Sequence, residues 1–404
     1  MRGLEDARIV GIYTTEQARD LSSRGSFSLA LEALNGALDD AGMTKSELDG
    51  ILSYVTYWPP GRPGGRAGDW AYQLKQDLKW SGSAMPGIGG ILEAAHLITG
   101  GYLNTVALVC GMARPRDLIN APWTEGYTEF TGWPGAFPVQ PVQFSLVAQR
   151  YVHEVGPNAL RAMGEVGATI RNYGHINPDA VYFNRGPFTA EDVLNSRMIA
   201  SPLTLLMCST VNDGGCAMII TNKDRAKDTP KKPIKVITGG EHAHYSSYVE
   251  PPVLDGYYEM GAHYRDTLAR DGVKHDDINV VAFYDHFSSH VLLQYEEFGF
   301  CGKGEAPDMV ADGVMTLDGR FPTCTDGGNQ SFSHPGFPLL FRPIEGVRQL
   351  RGEVKDLCPG WEQGQHTYDA SMCRKIPNPR LAFTSNPGSP TLQGAMMVMG
   401  PEEA

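Results

Sequence analysis

Two stretches of the chain repeat the same pattern, and this repeat restricts the possible folds more than any other feature. Residues 37–54 and residues 267–284 align without a gap. Each contains a helix end, a glycine, an acidic and polar turn, and a run of residues that favour strands, and Gly42 matches Gly272. A glycine at that place can end a helix in the left-handed conformation. Two copies of helix, turn and strand therefore predict a duplicated α/β fold.

Weaker echoes elsewhere are consistent with this duplication. Residues 93–100 and 345–352 are both helix ends closed by a glycine. Apolar strand patterns at 216–221 and 394–399 close the two halves. Any α/β protein can produce such echoes, but the first match has no gap, and this favours a true duplication.

The repeat divides the chain into two halves and leaves one segment over. We expect an N-terminal half at 1–222 and a C-terminal half at 233–404, joined by a charged linker at 223–232. Between about residues 122 and 201 a segment rich in Trp, Tyr, Gly and Pro, followed by helical patterns, interrupts the alternation. Such insertions usually shape substrate pockets, so we expect this one to cover a face of the fold.

Composition and charge exclude several classes of function. The net charge of −12 argues against non-specific binding to nucleic acid or to an anionic membrane. No apolar run reaches membrane-spanning length, and no apolar segment follows the first residues as in a secretory signal. The seven cysteines are scattered and lack the close pairing of a zinc ribbon. We expect reduced thiols in a cytoplasmic protein.

The motif that points most directly to chemistry lies in the second half. Gly327 and Gly328 are followed by a short polar run, then His334 and Pro335, and then by an amphipathic helix. A histidine just ahead of a helix lies where the helix dipole can stabilise an anion or a developing enolate.

This histidine loop, the duplication and the insertion together resemble the thiolase superfamily, and they are most similar to sterol-carrier-type thiolases and thiolase-like steroid side-chain aldolases. Residues 208–217 resemble the family's Asp-Gly-Ala-Ala segment, residues 283–287 its His-Asp-Cys-Phe motif, and residues 296–305 the segment that follows it. The resemblance covers nearly the whole chain. It implies a duplicated thiolase-type α/β fold with αβαβα layers: two five-stranded sheets and two buried central helices.

The chain departs from this family at the cysteines. A thiolase needs one cysteine to carry the acyl group and a second to move the proton. The alignment puts Ala84 at the nucleophile, beside Ser83, and residues 384–388 hold no cysteine. Thiolysis through a covalent acyl-enzyme is therefore not expected. Cys324 is the fallback nucleophile, although a buried inert thiol is the commoner fate of such a residue.

Three residues are candidates for catalysis. By the resemblance, His334 binds the thioester oxygen and assists proton transfer; the alternative is a histidine that merely packs. Tyr284 replaces the motif histidine and can donate to an oxyanion or, if its pKa is lowered, accept a proton. Its match in the first repeat, Tyr54, supports the alternative of a core tyrosine. His286 shares a side of the strand with Tyr284, whereas Asp285 faces away and is interpreted as structural.

Other residues complete the candidate site. Gly327, Gly328 and Gly388 are expected to contact the coenzyme A thioester. The alternating histidines His242 and His244, with nearby tyrosines, invite a metal interpretation, but a third ligand motif is missing and a pocket rim is preferred. We therefore predict no metal and no cofactor in this chain.

The function that follows is a thiolase-like lyase that cleaves a β-hydroxyacyl-CoA, such as a steroid side chain, by a retro-aldol reaction. This reaction needs a base and an oxyanion hole but no acyl-enzyme. The alternatives are an acyltransferase that uses Cys324 and a non-catalytic acyl-binding scaffold. The resemblance also implies a homodimer that pairs with a small zinc-ribbon/OB-fold protein, so that any zinc lies in the partner chain.

Overall fold

A computed structural model describes residues 4–55, 67–82, 86–114, 140–247, 253–336, 340–354, 373–387 and 391–403. Its strands are β1 (Ala7–Thr14), β2 (Gly50–Val55), β3 (Thr105–Met112), β4 (Met198–Ala200), β5 (Leu203–Thr204), β6 (Gly214–Asn222), β7 (Ile234–Ser247), β8 (Ile278–Ala282), β9 (Leu381–Pro387) and β10 (Thr391–Gly400). Its helices are α1 (Ser26–Ala41), α2 (Ala67–Leu74), α3 (Ile88–Thr99), α4 (Gln140–Val155), α5 (Asn158–Ile176), α6 (Ala190–Leu194), α7 (Lys223–Ala226), α8 (Val253–Arg270), α9 (Ser288–Glu297), α10 (Ala306–Ala311) and α11 (Phe341–Arg351).

The main sheet repeats one strand order twice. Its order is β2-β3-β6-β1-β7-β10-β9-β8, so the first four strands mirror the last four. In each half the outermost strand pairs parallel with its neighbour, and the next two pairings are antiparallel. The halves meet where β1 pairs with β7 through Arg8–Lys235 and Ile9–Ile234. The duplicated α/β fold is therefore confirmed.

The number of full strands differs from the expected five per half. Each half contributes four strands to the main sheet in the described residues. A fifth position is present as a single parallel bridge outside the edge strand: Trp80 pairs with Gly50 beside β2, and Thr323 pairs with Val281 beside β8. The two halves also form one continuous sheet across β1 and β7, so the sheets are not separate.

The central layer consists of α3 and α11. Ile91 of α3 and Ile344 of α11 belong to one apolar cluster that includes Leu108 of β3 and Met397 of β10. The inner faces of both halves therefore pack on the same two helices, as the αβαβα layering requires. Each fully buried apolar side chain of this kind contributes roughly 1.5–3 kcal/mol.

The repeated turn is built in the same way in both halves. Gly42 and Gly272 have φ angles of 62° and 73°, a left-handed conformation that strains residues with a Cβ. The residue after each glycine donates its N–H to the carbonyl five residues back, at 2.9 Å in the first copy and 3.0 Å in the second. A 3-10 turn and then β2 or β8 follow in each copy. The two stretches thus hold equivalent places in the sheet.

The insertion covers the outer face of the C-terminal half. Phe144 of α4 and Val166 of α5 share an apolar cluster with Tyr257 of α8 and Val291 of α9. The outer face of the N-terminal half has its own cover in α1 and α2. The expected covering role is thus seen for the described part of the insertion, whereas the exact boundaries of the two halves stay a prediction.

One expectation about the cysteines was wrong. Cys110, Cys208, Cys216, Cys301 and Cys324 are free thiols, but Cys373 is disulfide-bonded. Sequence spacing gives no sign of this bond, because disulfides depend on distances in the folded chain. Among the described helices, none is long and apolar enough to cross a bilayer.

Candidate active site

Two of the predicted catalytic residues meet in the fold. The Tyr284 hydroxyl lies 2.9 Å from Nε2 of His334, and the two ring planes are inclined at 67° in an edge contact. Tyr284 follows β8 and His334 ends the histidine loop, so a strand end and a loop 50 residues later form one hydrogen-bonded pair. We call it the Tyr284–His334 pair.

Tyr284 is held by its main chain. Its N–H donates to Ser385 Oγ at 3.2 Å, and its carbonyl accepts from Gln294 Nε2 at 3.2 Å. Burial, followed by the charge of Asp285, raises the pKa of the Tyr284 hydroxyl. The hydroxyl therefore stays protonated near neutral pH, and the alternative in which a lowered pKa makes it a free phenolate base is not supported.

His334 is neutral near pH 7. Burial, together with the positive charges of Arg114 and Arg342, lowers its pKa to about 4. A hydrogen bond of the imidazole to the main chain of Thr210 partly opposes this shift. Because the imidazole is neutral and the Tyr284 hydroxyl keeps its proton, we assign Nε2 as the acceptor of that hydroxyl proton. The main-chain N–H of His334 donates to Asn212 Oδ1 at 2.7 Å.

The histidine loop begins with a turn that only glycine adopts easily. Gly327 and Gly328 have φ angles of 103° and 58°, and a π-helical turn runs from Gly328 to Phe332. A Cβ on Gly327 would lie 2.6 Å from the Cα of Gly174, and one on Gly328 would lie 2.0 Å from Asp285 Oδ2. Both glycines therefore serve close backbone packing, and their contact with coenzyme A stays a prediction. Gly388 lies outside the described residues.

The loop is anchored on a buried ion pair and on the insertion. Arg342 of α11 binds both carboxylate oxygens of Asp326, at 2.7 and 2.8 Å. Asn177, just after α5, donates from Nδ2 to the Asp326 carbonyl at 2.8 Å. The N–H groups of Val181 and Tyr182 donate to carbonyls of the loop at 3.0 and 3.2 Å. The segment that covers the C-terminal half therefore also fixes its catalytic loop.

His286 lies beside the pair rather than in it. Its ring is 5.0 Å from that of Tyr284, and its Nδ1 lies 3.2 Å from the Tyr284 carbonyl. Burial and the neighbouring His290 keep its pKa well below the usual range. His290, whose Nε2 lies 2.8 Å from the Tyr257 hydroxyl, was missed by sequence reasoning. Its spacing of four residues from His286 across a helix start was the available signal.

Cys324 is not placed for nucleophilic attack. Its side chain is fully buried, and its S–H donates to the Phe283 carbonyl at 3.3 Å. Burial raises the pKa of its thiol well above the usual range. Such a thiol is inert, so acyl transfer through Cys324 is not supported. Ser83 and Ala84, the positions of the expected nucleophile, lie outside the described residues.

The histidines of β7 contact residues of α8. The His242 ring stacks on that of His263 at 4.8 Å, and His244 Nε2 lies 2.8 Å from a Glu259 carboxylate oxygen. The described part of the chain contains no group of three residues placed to hold a metal ion.

Comparisons with known proteins identify the family of the chain. Residues 261–360 match the family model of the thiolase C-terminal domain-like proteins. The chain is 32% identical to the 17-hydroxy-3-oxo-4-pregnene-20-carboxyl-CoA lyase of Mycobacterium tuberculosis, over 86% of this chain and 92% of that protein. It is 31% identical to the steroid side-chain-cleaving aldolase of Thermomonospora curvata, over 86% and 90%. The solved Ltp2-ChsH2(DUF35) aldolase has the same fold, with a TM-score of 0.82 and 24% identity over the full length of both chains.

Proposed function

Since the chain belongs to the thiolase superfamily, in the branch of the steroid side-chain-cleaving lyases, we propose that it cleaves a β-hydroxyacyl-CoA by a retro-aldol reaction. The observation that carries this proposal is the Tyr284–His334 pair, in which a hydroxyl and Nε2 of a neutral imidazole lie 2.9 Å apart. Such a pair moves protons and needs no covalent intermediate.

We assign the proton transfers to this pair. The β-hydroxyl of the substrate gives its proton to Tyr284 Oη while Tyr284 gives its own proton to His334 Nε2. The bond between Cα and Cβ breaks, Cβ becomes a carbonyl, and the electron pair passes to the thioester enolate. His334 then returns the proton, through Tyr284, to Cα. The developing negative charge of the enolate offsets the unfavourable burial of the imidazolium.

We also propose that the acyl group of the substrate is bulky. The two relatives named above act on steroid side chains, by their names, and the chain covers at least nine-tenths of each. A steroid side chain on coenzyme A is therefore the substrate class we assign. His286 belongs to the wall of the site, where its ring packs against Tyr284.

We also propose an assembly. The solved aldolase with the same fold is named Ltp2-ChsH2(DUF35), a name that joins two components. By analogy this chain forms a homodimer that binds two copies of a small zinc-ribbon/OB-fold partner, and it acts in the cytoplasm. Light scattering of the purified chain, alone and with a candidate partner, tests the stoichiometry.

The decisive experiment follows the products. The chain, with its partner where one copurifies, is incubated with 17-hydroxy-3-oxo-4-pregnene-20-carboxyl-CoA, and the products are identified by mass spectrometry. We expect a ketone and a shortened acyl-CoA, and no acyl group on the protein in its intact mass. A covalent acyl adduct would support an acyltransferase, and tight binding without turnover would support a scaffold; either result contradicts the lyase.

A further inference from the structure

We propose that Asp285 is the positioning residue of the lyase reaction: its carboxylate holds the histidine loop against the end of β8 and so sets the Tyr284–His334 distance. This inference rests on the proposed function. Asp285 touches neither substrate nor reacting atoms in the scheme above, so its role is to place the residues that do.

The Asp285 carboxylate accepts two hydrogen bonds from the histidine loop. Asp285 Oδ1 accepts the N–H of Asn329 at 2.7 Å, and Oδ2 accepts the N–H of Gln330 at 3.2 Å. Both donors belong to the π-helical turn at the start of the histidine loop. Asp285 is fully buried, so no water replaces it as an acceptor for these groups.

The place of Asp285 in the chain links both members of the catalytic pair. It directly follows Tyr284, and its carboxylate binds the turn that leads to His334. The far end of the loop is fixed by the bond from the His334 N–H to Asn212. Other bonds hold Asp326 and the carbonyls at the end of the loop. The two bonds that Asp285 accepts fix the turn between these anchors, and they thereby help to set the position of the imidazole relative to Tyr284.

Both oxygens are needed in the ionised form. A protonated carboxyl group, or an asparagine in its place, keeps one good acceptor and turns a donor toward the other N–H. The turn then has to move, because the N–H groups of Asn329 and Gln330 are buried with it. The Asp285 carboxylate already packs closely against Gly328, since a Cβ there would lie 2.0 Å from Oδ2. Protonation of Asp285 therefore loosens the loop.

Charged and titratable groups face Asp285 from each element packed around it. They are Arg342 from α11, Arg171 from α5, Asp326 and Cys324 from the loop region, and Tyr284 from its own segment. Burial is the largest influence and raises the pKa of Asp285 to about 6, against the opposing effects of Arg342 and the two N–H donors. Asp285 therefore accepts both N–H bonds above this pH, and it loses one good acceptor below it.

The variant Asp285→Asn tests the inference. With 17-hydroxy-3-oxo-4-pregnene-20-carboxyl-CoA as substrate, kcat should fall by roughly 10- to 100-fold, the effect of a misplacement of about 1 Å. KM should change much less, because substrate binding groups are untouched. In the wild type, kcat should fall as the pH drops through about 6. In the variant this decrease of kcat around pH 6 should be absent. Only the decrease near pH 4, where His334 titrates, should remain.

A structural readout separates this inference from the proposed function. The imidazole NMR signals of His334, assigned with the variant His334→Ala, should change in the wild type around pH 6 and should already be shifted in Asp285→Asn at pH 7.5. If the wild type lacks lyase activity, the proposed function fails, yet these signals still decide the role of Asp285. If Asp285→Asn does not fold, the wild-type titration alone remains decisive.

The matched control is Asp271→Asn. Asp271 is also a largely buried carboxylate of the C-terminal half, bonded to Thr238 Oγ1 at 2.5 Å, far along the chain from the loop. This variant should keep the wild-type kcat and the decrease of kcat around pH 6. The inference would be overturned if Asp285→Asn kept the wild-type kcat. It would also be overturned if the His334 signals changed neither around pH 6 nor on the substitution.

Discussion

The ends of the two matching edge strands, β2 and β8, carry the same residue type in very different surroundings. Tyr54 ends the first repeat, is half-buried and packs at the border of the central apolar cluster. Tyr284 ends the second repeat, is 8% exposed and bonds to His334. The backbone pattern is duplicated, but the chemistry depends on what packs against each strand end. At β8 these are the histidine loop and the insertion, and both belong to segments outside the repeated stretch.

The contrast between Tyr54 and Tyr284 predicts its largest effect in the turnover number of variants. Tyr284→Phe and His334→Ala should each lower kcat by about 100-fold or more, because each removes one half of the proton relay. Tyr54→Phe, the same substitution in the first repeat, should stay within about twofold of the wild type, since ordinary surface or half-buried changes are small. Product formation measured by mass spectrometry decides between them. Equal losses in Tyr54→Phe and Tyr284→Phe would break the contrast between the two repeats.

A second prediction concerns the pH dependence of stability at the β8 end. The pKa of Asp285 is raised from 3.8 to about 6, so between these values the folded state binds more protons than the unfolded state. Its contribution to stability is therefore full below about pH 4 and falls as the pH rises to 6, by on the order of 2–3 kcal/mol. Urea unfolding of the wild type relative to Asp285→Asn should show this decrease. A difference that rises with pH would contradict it.

This second effect opposes the catalytic one. Ionisation of Asp285 is needed to hold both N–H groups of the loop, yet burial makes that ionisation unfavourable for the fold. The site therefore gains its geometry at a cost in stability, as is common where polar groups are buried for function.

A third prediction compares the two repeated turns directly. Gly42→Ala and Gly272→Ala both place a Cβ on a left-handed residue, which costs about 1–2 kcal/mol. At Gly42 the new Cβ would also lie 2.8 Å from Pro230 Cδ, whereas nothing lies within 4 Å at Gly272. Gly42→Ala should therefore lower the free energy of unfolding more than Gly272→Ala. Chemical denaturation measures both, and the reverse order would show that the turns are packed differently.

The smallest effect is expected at Cys324. Cys324→Ser should leave kcat within about twofold of the wild type, because its thiol is buried and bonded to the Phe283 carbonyl. A stability loss of about 1 kcal/mol is expected from placing a hydroxyl in that buried site. Loss of turnover in a folded Cys324→Ser variant would instead bring back a nucleophilic mechanism and remove the lyase scheme.

Several parts of the site were invisible in the sequence. Asn177, which bonds the Asp326 carbonyl, lies in the insertion with no motif around it. Asn212 was within a recognised segment, but nothing marked it as the acceptor of the His334 N–H. The sequence predicts a structural role for Asp285, but it does not show that the carboxylate accepts two bonds from the histidine loop. Each of these contacts joins residues that are distant in the chain, so no local pattern records them.

The sequence by itself determined the duplicated α/β fold, because helix ends, left-handed glycines and strand runs are local patterns with local physical causes. The two central helices were expected only through the family resemblance. The sequence also brought Tyr284 and His334 forward as candidates through the motifs around them. Tertiary structure alone decided that their side chains lie 2.9 Å apart and that His334 is neutral with a pKa of about 4. It also decided that Cys324 is sealed in the core and that Cys373 is disulfide-bonded. Distance and burial set these properties, and both arise only when segments far apart in the chain pack together.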